Sequence, residues 1–143
     1  MSAEENKSIY RRVYEEIVNK GNFALTDELI GEDYVYRAPG SPEFNGPEGF
    51  KQVVTVYRTA FPDLHIAIED VMGEGDKVVG RFTARGTHRG ELMGIPPTGN
   101  SITVTGIDLS RYRDGKMVDY YEIFDALGMM QQLGVIPAPG QAG

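Results

Sequence analysis

Residues 101–125 read SITVTGIDLSRYRDGKMVDYYEIFD. Two β-rich runs, 101–113 and 116–124, flank Asp114-Gly115, a dipeptide that suits the left-handed backbone of a hairpin turn. Apolar and polar residues alternate along them with the period of a strand. The same period holds upstream in LHIAIEDVM (64–72) and KVVGRFTARGTH (77–88), which are separated by the turn GEGD. Four long strands joined by turns predict an antiparallel sheet.

Before Leu64 the period is helical. Ser2 and Glu5 have the spacing of a capping box, and Ile9, Val13 and Ile17 recur every four residues until Gly21, which predicts a helix over 3–20. A shorter helix follows Asn22 and stops at Gly31, and DYVYRA (33–38) has the composition of a short strand. After the turn-rich APGSPEFNG (38–46), Pro47 suits a first helical position, and Phe50, Val53, Val54, Tyr57 and Phe61 mark one face of a helix over 47–61. ALGMMQQLG (126–134) predicts a last short helix ending at Gly134, and PAPGQAG (137–143) a disordered tail. Helices followed by strands define an α+β fold in which a curved antiparallel sheet wraps on the N-terminal helices.

Composition narrows the function classes. With 143 residues and 41% hydrophobic content, the chain fits a single domain over 1–136. It has no cysteine and two isolated histidines, His65 and His88, so disulfides, thiolate chemistry and a histidine-rich metal site are excluded. A net charge of −7 disfavours nucleic acid and anionic membranes, which leaves a small neutral or apolar partner. No apolar run reaches the length of a membrane span, and the acidic, polar N-terminus differs from a secretion signal, so a cytoplasmic location is expected.

The stretch DYYEIFD (119–125) concentrates three carboxylates among aromatic and aliphatic residues. Asp125 precedes the last helix and reads as its N-cap. Asp119 lies near the hairpin turn and is expected in solvent. Arg81 and Arg85 share a strand face and are expected to form solvated ion pairs with a neighbouring strand.

FPDL (61–64), GTHRGELMGIPPTG (86–99), RYRDGKMV (111–118) and FDALGMMQQLG (124–134), in this order of elements, resemble the SnoaL-like polyketide cyclases of the nuclear transport factor 2-like superfamily. The resemblance covers nearly the whole chain. It implies a cone of helices and concave sheet around an apolar pocket, with an intramolecular aldol ring closure that uses no cofactor and no metal. It places the family's acid/base carboxylate at Glu122 and, at a position where the family has histidine, Asp108. The expected substrate contacts are Tyr120, as a donor to the enolate, with Gly106, His88, Met93, Ile95 and Phe124, and the resemblance makes LMGIPP (92–97) a lid. For His88 the residues themselves also allow a loop-ordering hydrogen bond to backbone.

Whether Asp108 and Glu122 converge depends on the hairpin. A strict two-residue turn at Asp114-Gly115 sets Asp108 opposite Tyr121 and sends Glu122 to the other face. A type I turn with a bulge at Gly115 sets Asp108 opposite Tyr120 and Gly106 opposite Glu122, so that the acids share a face and Gly106 leaves room for a ligand. The resemblance favours the bulge. In that register Ile107, Leu109, Met117, Tyr121 and Ile123 form an apolar outer face, which predicts a homodimer through the sheet. Two alternatives remain: an epoxide hydrolase-like site, marked by an arginine fork touching both acids inside the cup, and a non-catalytic ligand-binding module, marked by a solvated or outward Glu122.

Overall fold

The computed structural model of the chain describes residues 2–137 and 140, so most of the tail expected over 137–143 lies outside the described residues. The elements run α1 (Ala3–Arg12), a π-helical continuation (Val13–Val18), a 3-10 turn (Phe23–Leu25), α2 (Thr26–Leu29), β1 (Val35–Arg37), β2 (Phe44–Asn45) and α3 (Gly46–Ala60). They continue as β3 (His65–Glu74), β4 (Lys77–Thr87), β5 (Ser101–Arg113), β6 (Lys116–Phe124) and α4 (Ala126–Leu133). The six strands form one sheet in the order β2-β1-β6-β5-β4-β3. The long strands pair antiparallel as the sequence predicts, whereas the three-residue β1 joins β6 in parallel and sets Tyr36 beside Tyr120. The α+β class stands, with a mixed sheet.

The first helix begins where the sequence places it, because the Ser2 hydroxyl accepts from the Glu5 N–H at 3.1 Å. Its buried face differs from the expected one. Tyr10, Val13, Tyr14 and Ile17 point into the core, while Ile9 is only partly buried. The helix also widens after Arg12, with the Asn19 N–H bonded at 2.8 Å to the Tyr14 carbonyl five residues back. At the other end of the chain, Asp125 Oδ1 accepts from the Gly128 N–H at 2.9 Å and caps α4, and Gly134 (φ 83°) ends it, both as expected.

The β5–β6 hairpin combines features of both expected registers. Arg113 pairs with Lys116 around a tight turn whose residues Asp114 (φ 55°) and Gly115 (φ 77°) are both left-handed. Three residues on, the register shifts: Tyr112 pairs with Met117 but Arg111 with Asp119, which leaves Val118 as an extra residue. Beyond that bulge Asp108 lies directly opposite Glu122, and Gly106 opposite Phe124. The acids do share a face, but through a tight turn corrected by a bulge at Val118, not through a bulge at Gly115. Gly106 is therefore not the partner of Glu122. Met117, expected on the outer face, is fully buried on the inner face, because the tight turn, ahead of the bulge, sets it opposite the buried Tyr112. A second extra residue, Glu69 in β3, adds to the bend of the sheet.

Candidate active site

Asp108 sits in the middle of β5 on the concave face and is 1% exposed. Its cross-strand neighbours are Gly80 on β4 and Glu122 on β6. From above, the first helix delivers two phenols at helical spacing. The Tyr10 hydroxyl donates to Asp108 Oδ1 at 2.8 Å, and the Tyr14 hydroxyl donates to Oδ2. Gly80 makes this approach feasible, since a Cβ there would overlap the Tyr10 hydroxyl.

Tyr120 joins the two acids. Its hydroxyl lies 3.0 Å from Asp108 Oδ2 and 3.0 Å from Glu122 Oε2, and it also touches the Tyr14 hydroxyl. The parallel β1 supplies the last member: Tyr36 stacks on Tyr120 with ring centroids 5.6 Å apart and donates to Glu122 Oε1. Four hydroxyls and two carboxyls thus make six oxygen–oxygen contacts. Each phenol has one proton to donate. With both carboxylates ionised, two of the contacts lack a hydrogen, and each proton taken up by a carboxyl fills one.

The electrostatics point the same way. Burial pushes Asp108 up from the ordinary carboxylate range, opposed by hydrogen bonds from Tyr14, Tyr10 and Tyr120. Burial likewise pushes Glu122 up; donation from Tyr36 and Tyr120 opposes the shift, and the Asp108 charge adds to it. Desolvation, followed by the charge of Asp108, raises Tyr10, Tyr14 and Tyr120. Desolvation and the charge of Glu122 raise Tyr36. The phenols therefore remain protonated donors.

Glu122 faces a cavity of about 120 Å³ lined by the helical segment Val13–Val18, α3, the concave sheet and Met129 of α4. Its walls are otherwise aliphatic, aromatic or phenolic, and among the described residues no lysine, arginine or histidine lines it. Tyr120 and Phe124 line the cavity with Glu122, whereas Asp108 lies behind Tyr14 and Tyr120.

The other expected contacts sit elsewhere. Gly106 is on the concave face, but the Phe82 ring covers it: a Cβ there would lie 2.5 Å from Phe82 Cζ, so no space is left for a ligand. His88 is fully buried behind Phe61 and accepts the Thr98 N–H on Nδ1 at 3.2 Å, the loop-ordering role that its position allows. Met93 is 67% exposed and Ile95 half-buried, and neither is on the cavity wall; Leu92 is the loop residue that inserts into the core. Met93 takes a left-handed backbone (φ 44°) in a turn closed by the Leu92–Ile95 backbone pair, which turns its side chain outward.

Among the peripheral charges, Arg81 pairs with Asp70 at 2.7 Å on the exposed face, as expected. Asp119 keeps 31% of its side chain exposed, in keeping with a solvated position, and is in addition ion-paired with Arg37 and Arg111. Sequence reasoning missed Tyr10, Tyr14 and Tyr36. The signal for the first two was present in the i, i+3, i+4, i+7 spacing of Tyr10, Val13, Tyr14 and Ile17.

The chain that builds this concave sheet, with Glu122 held under phenols on the wall of the cavity, matches in sequence the model of the SnoaL-like polyketide cyclases over residues 8–133. The chain belongs to that family. Among its relatives, aklanonic acid methyl ester cyclase DnrD of Streptomyces peucetius is 34% identical over 124 residues, covering 83% of this chain and 84% of that protein. The nogalonic acid methyl ester cyclase of Streptomyces nogalater is 33% identical over 119 residues, covering 81% and 88%. The crystal structure of wild-type IdmH from Streptomyces antibioticus superposes with a TM-score of 0.78 at 34% identity, covering 90% of this chain and 98% of IdmH. A SnoaL-like protein of Jannaschia sp. CCS1 shares the fold with a TM-score of 0.86 at 23% identity, covering 94% and 95%.

Proposed function

We propose that the protein closes a ring in an apolar, carbonyl-rich substrate by intramolecular aldol condensation, without a cofactor, using Glu122 as base and then acid. The observation that carries this reading is the placement of Glu122, among the described residues, as the one acidic or basic side chain on a cavity wall that is otherwise aliphatic, aromatic or phenolic. Its carboxylate takes a proton from a carbon beside a carbonyl; the C–H electron pair forms a C=C bond and the carbonyl π electrons move to oxygen. The resulting enolate carbon adds to a second carbonyl, and Glu122 returns its proton to the new alkoxide. A base raised above the ordinary carboxylate range is better matched to a carbon acid flanked by two carbonyls. Asp108, which is out of reach of a ligand in the cavity, acts on Glu122 through Tyr120 as a positioning residue.

The cavity wall also favours a neutral substrate. A free carboxylate would meet Glu122 with no cation to offset it, consistent with relatives that act on methyl esters. The fork that would mark an epoxide hydrolase is missing among the described residues, since Arg81 is committed to Asp70 on the outer face. The inward Glu122 likewise removes the feature that would favour a purely ligand-holding module.

The test is Glu122→Gln, followed by hydrogen–deuterium exchange of the α-protons of benzoylacetone, a small aromatic β-diketone. The variant is expected to lose roughly 100-fold or more in catalysed exchange while remaining folded. Unchanged exchange would remove the base assignment.

The outer sheet face supports a second part of the proposal, a homodimer. Met72, Val79, Leu109 and Tyr121 pair in one row across four strands, with Ile107 and Ile123 beside them, and all are exposed.

A further inference from the structure

A base that makes an enolate needs a partner for the developing oxyanion, and Tyr120 looks like the obvious donor. Its single proton is already shared between two carboxyl oxygens at 3.0 Å. Tyr14 and Tyr36 likewise donate to carboxylates. Two more phenols line the same cavity: Tyr34, which directly precedes β1, and Tyr57 on α3. Neither hydroxyl has an acceptor among the described residues.

Tyr34 is 2% exposed, yet its hydroxyl is not one of the sealed, partnerless polar atoms found at Asn6, Thr26 and His88. The Tyr34 hydroxyl is thus neither bonded nor sealed, in a residue that lines the cavity. The Tyr34 ring is held edge-on against Phe50 of α3, with centroids 5.8 Å apart, which fixes its direction. Tyr57 lies two turns further along the same helix, half-buried. Both sense the Glu122 charge. Burial and that charge push Tyr57 up to about 12 and raise Tyr34 as well, so each donates a hydrogen bond without surrendering its proton.

We propose that Tyr34 and Tyr57 are catalytic residues that bind the substrate carbonyl oxygen and stabilise the enolate formed when Glu122 removes the neighbouring proton. The proposal rests on the reading of Glu122 as base. No proton leaves either phenol: the carbon-bound proton goes to Glu122, the negative charge goes to oxygen, and two preorganised O–H groups receive it.

The test uses acetophenone labelled with ¹³C at the carbonyl, an aromatic ketone that cannot cyclise. Its bound carbonyl resonance is expected downfield of its position in cyclohexane, in the wild-type protein and in Glu122→Gln alike. Tyr34→Phe and Tyr57→Phe should each move it part of the way back, and the double variant the whole way. Removing one oxygen from an intact ring preserves packing, and circular dichroism checks that each variant is folded. With benzoylacetone, each single variant should lose roughly 100-fold in exchange turnover at saturation while KM changes less than threefold. A carbonyl resonance identical in the wild-type protein and the double variant, or no saturable binding to the wild-type protein, would overturn the proposal. Exchange that survives Glu122→Gln while the resonance still moves with the tyrosines would overturn the base and leave the phenol pair standing.

Discussion

The two faces of β5 and β6 are made by alternate residues of the same strands and invert the ordinary division of a sheet. The concave face buries the Asp108 carboxyl and half-buries that of Glu122 beneath four tyrosines. The convex face leaves Ile107 55% and Ile123 56% exposed to solvent. Burying acids opposes folding, and exposing isoleucine contributes nothing to it, so neither face is explained by the stability of one chain alone. On the function proposed above, the inner face serves chemistry and the outer face association, and the Val118 bulge sets the register that divides the residues between them.

The comparison can be broken most severely from the inside. Gly80→Ala would drive a methyl group into the Tyr10 hydroxyl, displace a donor from Asp108 and cost about 2–4 kcal/mol, combining overpacking with a lost charged hydrogen bond. Urea unfolding should show the loss, and a stability within 0.5 kcal/mol of wild type, roughly the neutral range for surface changes, would mean that Tyr10 is not held over that strand.

On the outer face, Ile107→Asp should leave the fold and the exchange reaction intact and weaken self-association by about 2 kcal/mol or more, roughly 30-fold. Sedimentation velocity over a concentration series measures it. A wild-type protein that is monomeric at micromolar concentration would end the association reading.

The smallest effect separates the acids by the sign of their pH dependence. Asp108 and Glu122 have folded-state pKa values raised above their unfolded values. Their contribution to stability is therefore fully present below the ordinary carboxylate range and is lost as pH rises through the raised values. Asp119 is lowered: its own burial raises it, but Arg111 and Arg37 outweigh that, so its contribution is present above the ordinary range and is lost as pH falls. Asp108→Asn should flatten the decline of stability with rising pH, and Asp119→Asn the decline with falling pH. The opposite assignment in urea unfolding at several pH values would contradict the hydrogen-bond pattern.

What the sequence made legible was local. Strand alternation, the Asp-Gly turn, the Asp125 cap and the Gly134 stop each depend on a few neighbouring residues, and each is found where it was read. The parallel docking of β1 on β6 depends on residues more than eighty positions apart, so nothing near Tyr36 announced that it would reach Glu122. The bulge had a trace: Met117 and Val118 are consecutive apolar residues that interrupt the alternation just after the turn, which is how an extra residue looks before the fold is known. The tyrosines of the first helix were hidden by treating phenol as half-polar; aliphatic spacing drew attention to Ile9, one residue away from the true buried face. The acids themselves were found through family resemblance, whereas the phenols that decide their protonation came only from the three-dimensional arrangement.

The central claim is that Glu122 is a half-buried base with a raised pKa, facing the cavity. The most direct test measures benzoylacetone α-proton exchange as a function of pH beside the infrared carboxyl band that distinguishes wild type from Glu122→Gln. The exchange rate should rise with pH along the same curve on which that band disappears, with a midpoint above the ordinary carboxylate range. A rate that is flat while the Glu122 band titrates, or a band that titrates at or below the ordinary range, would contradict the account.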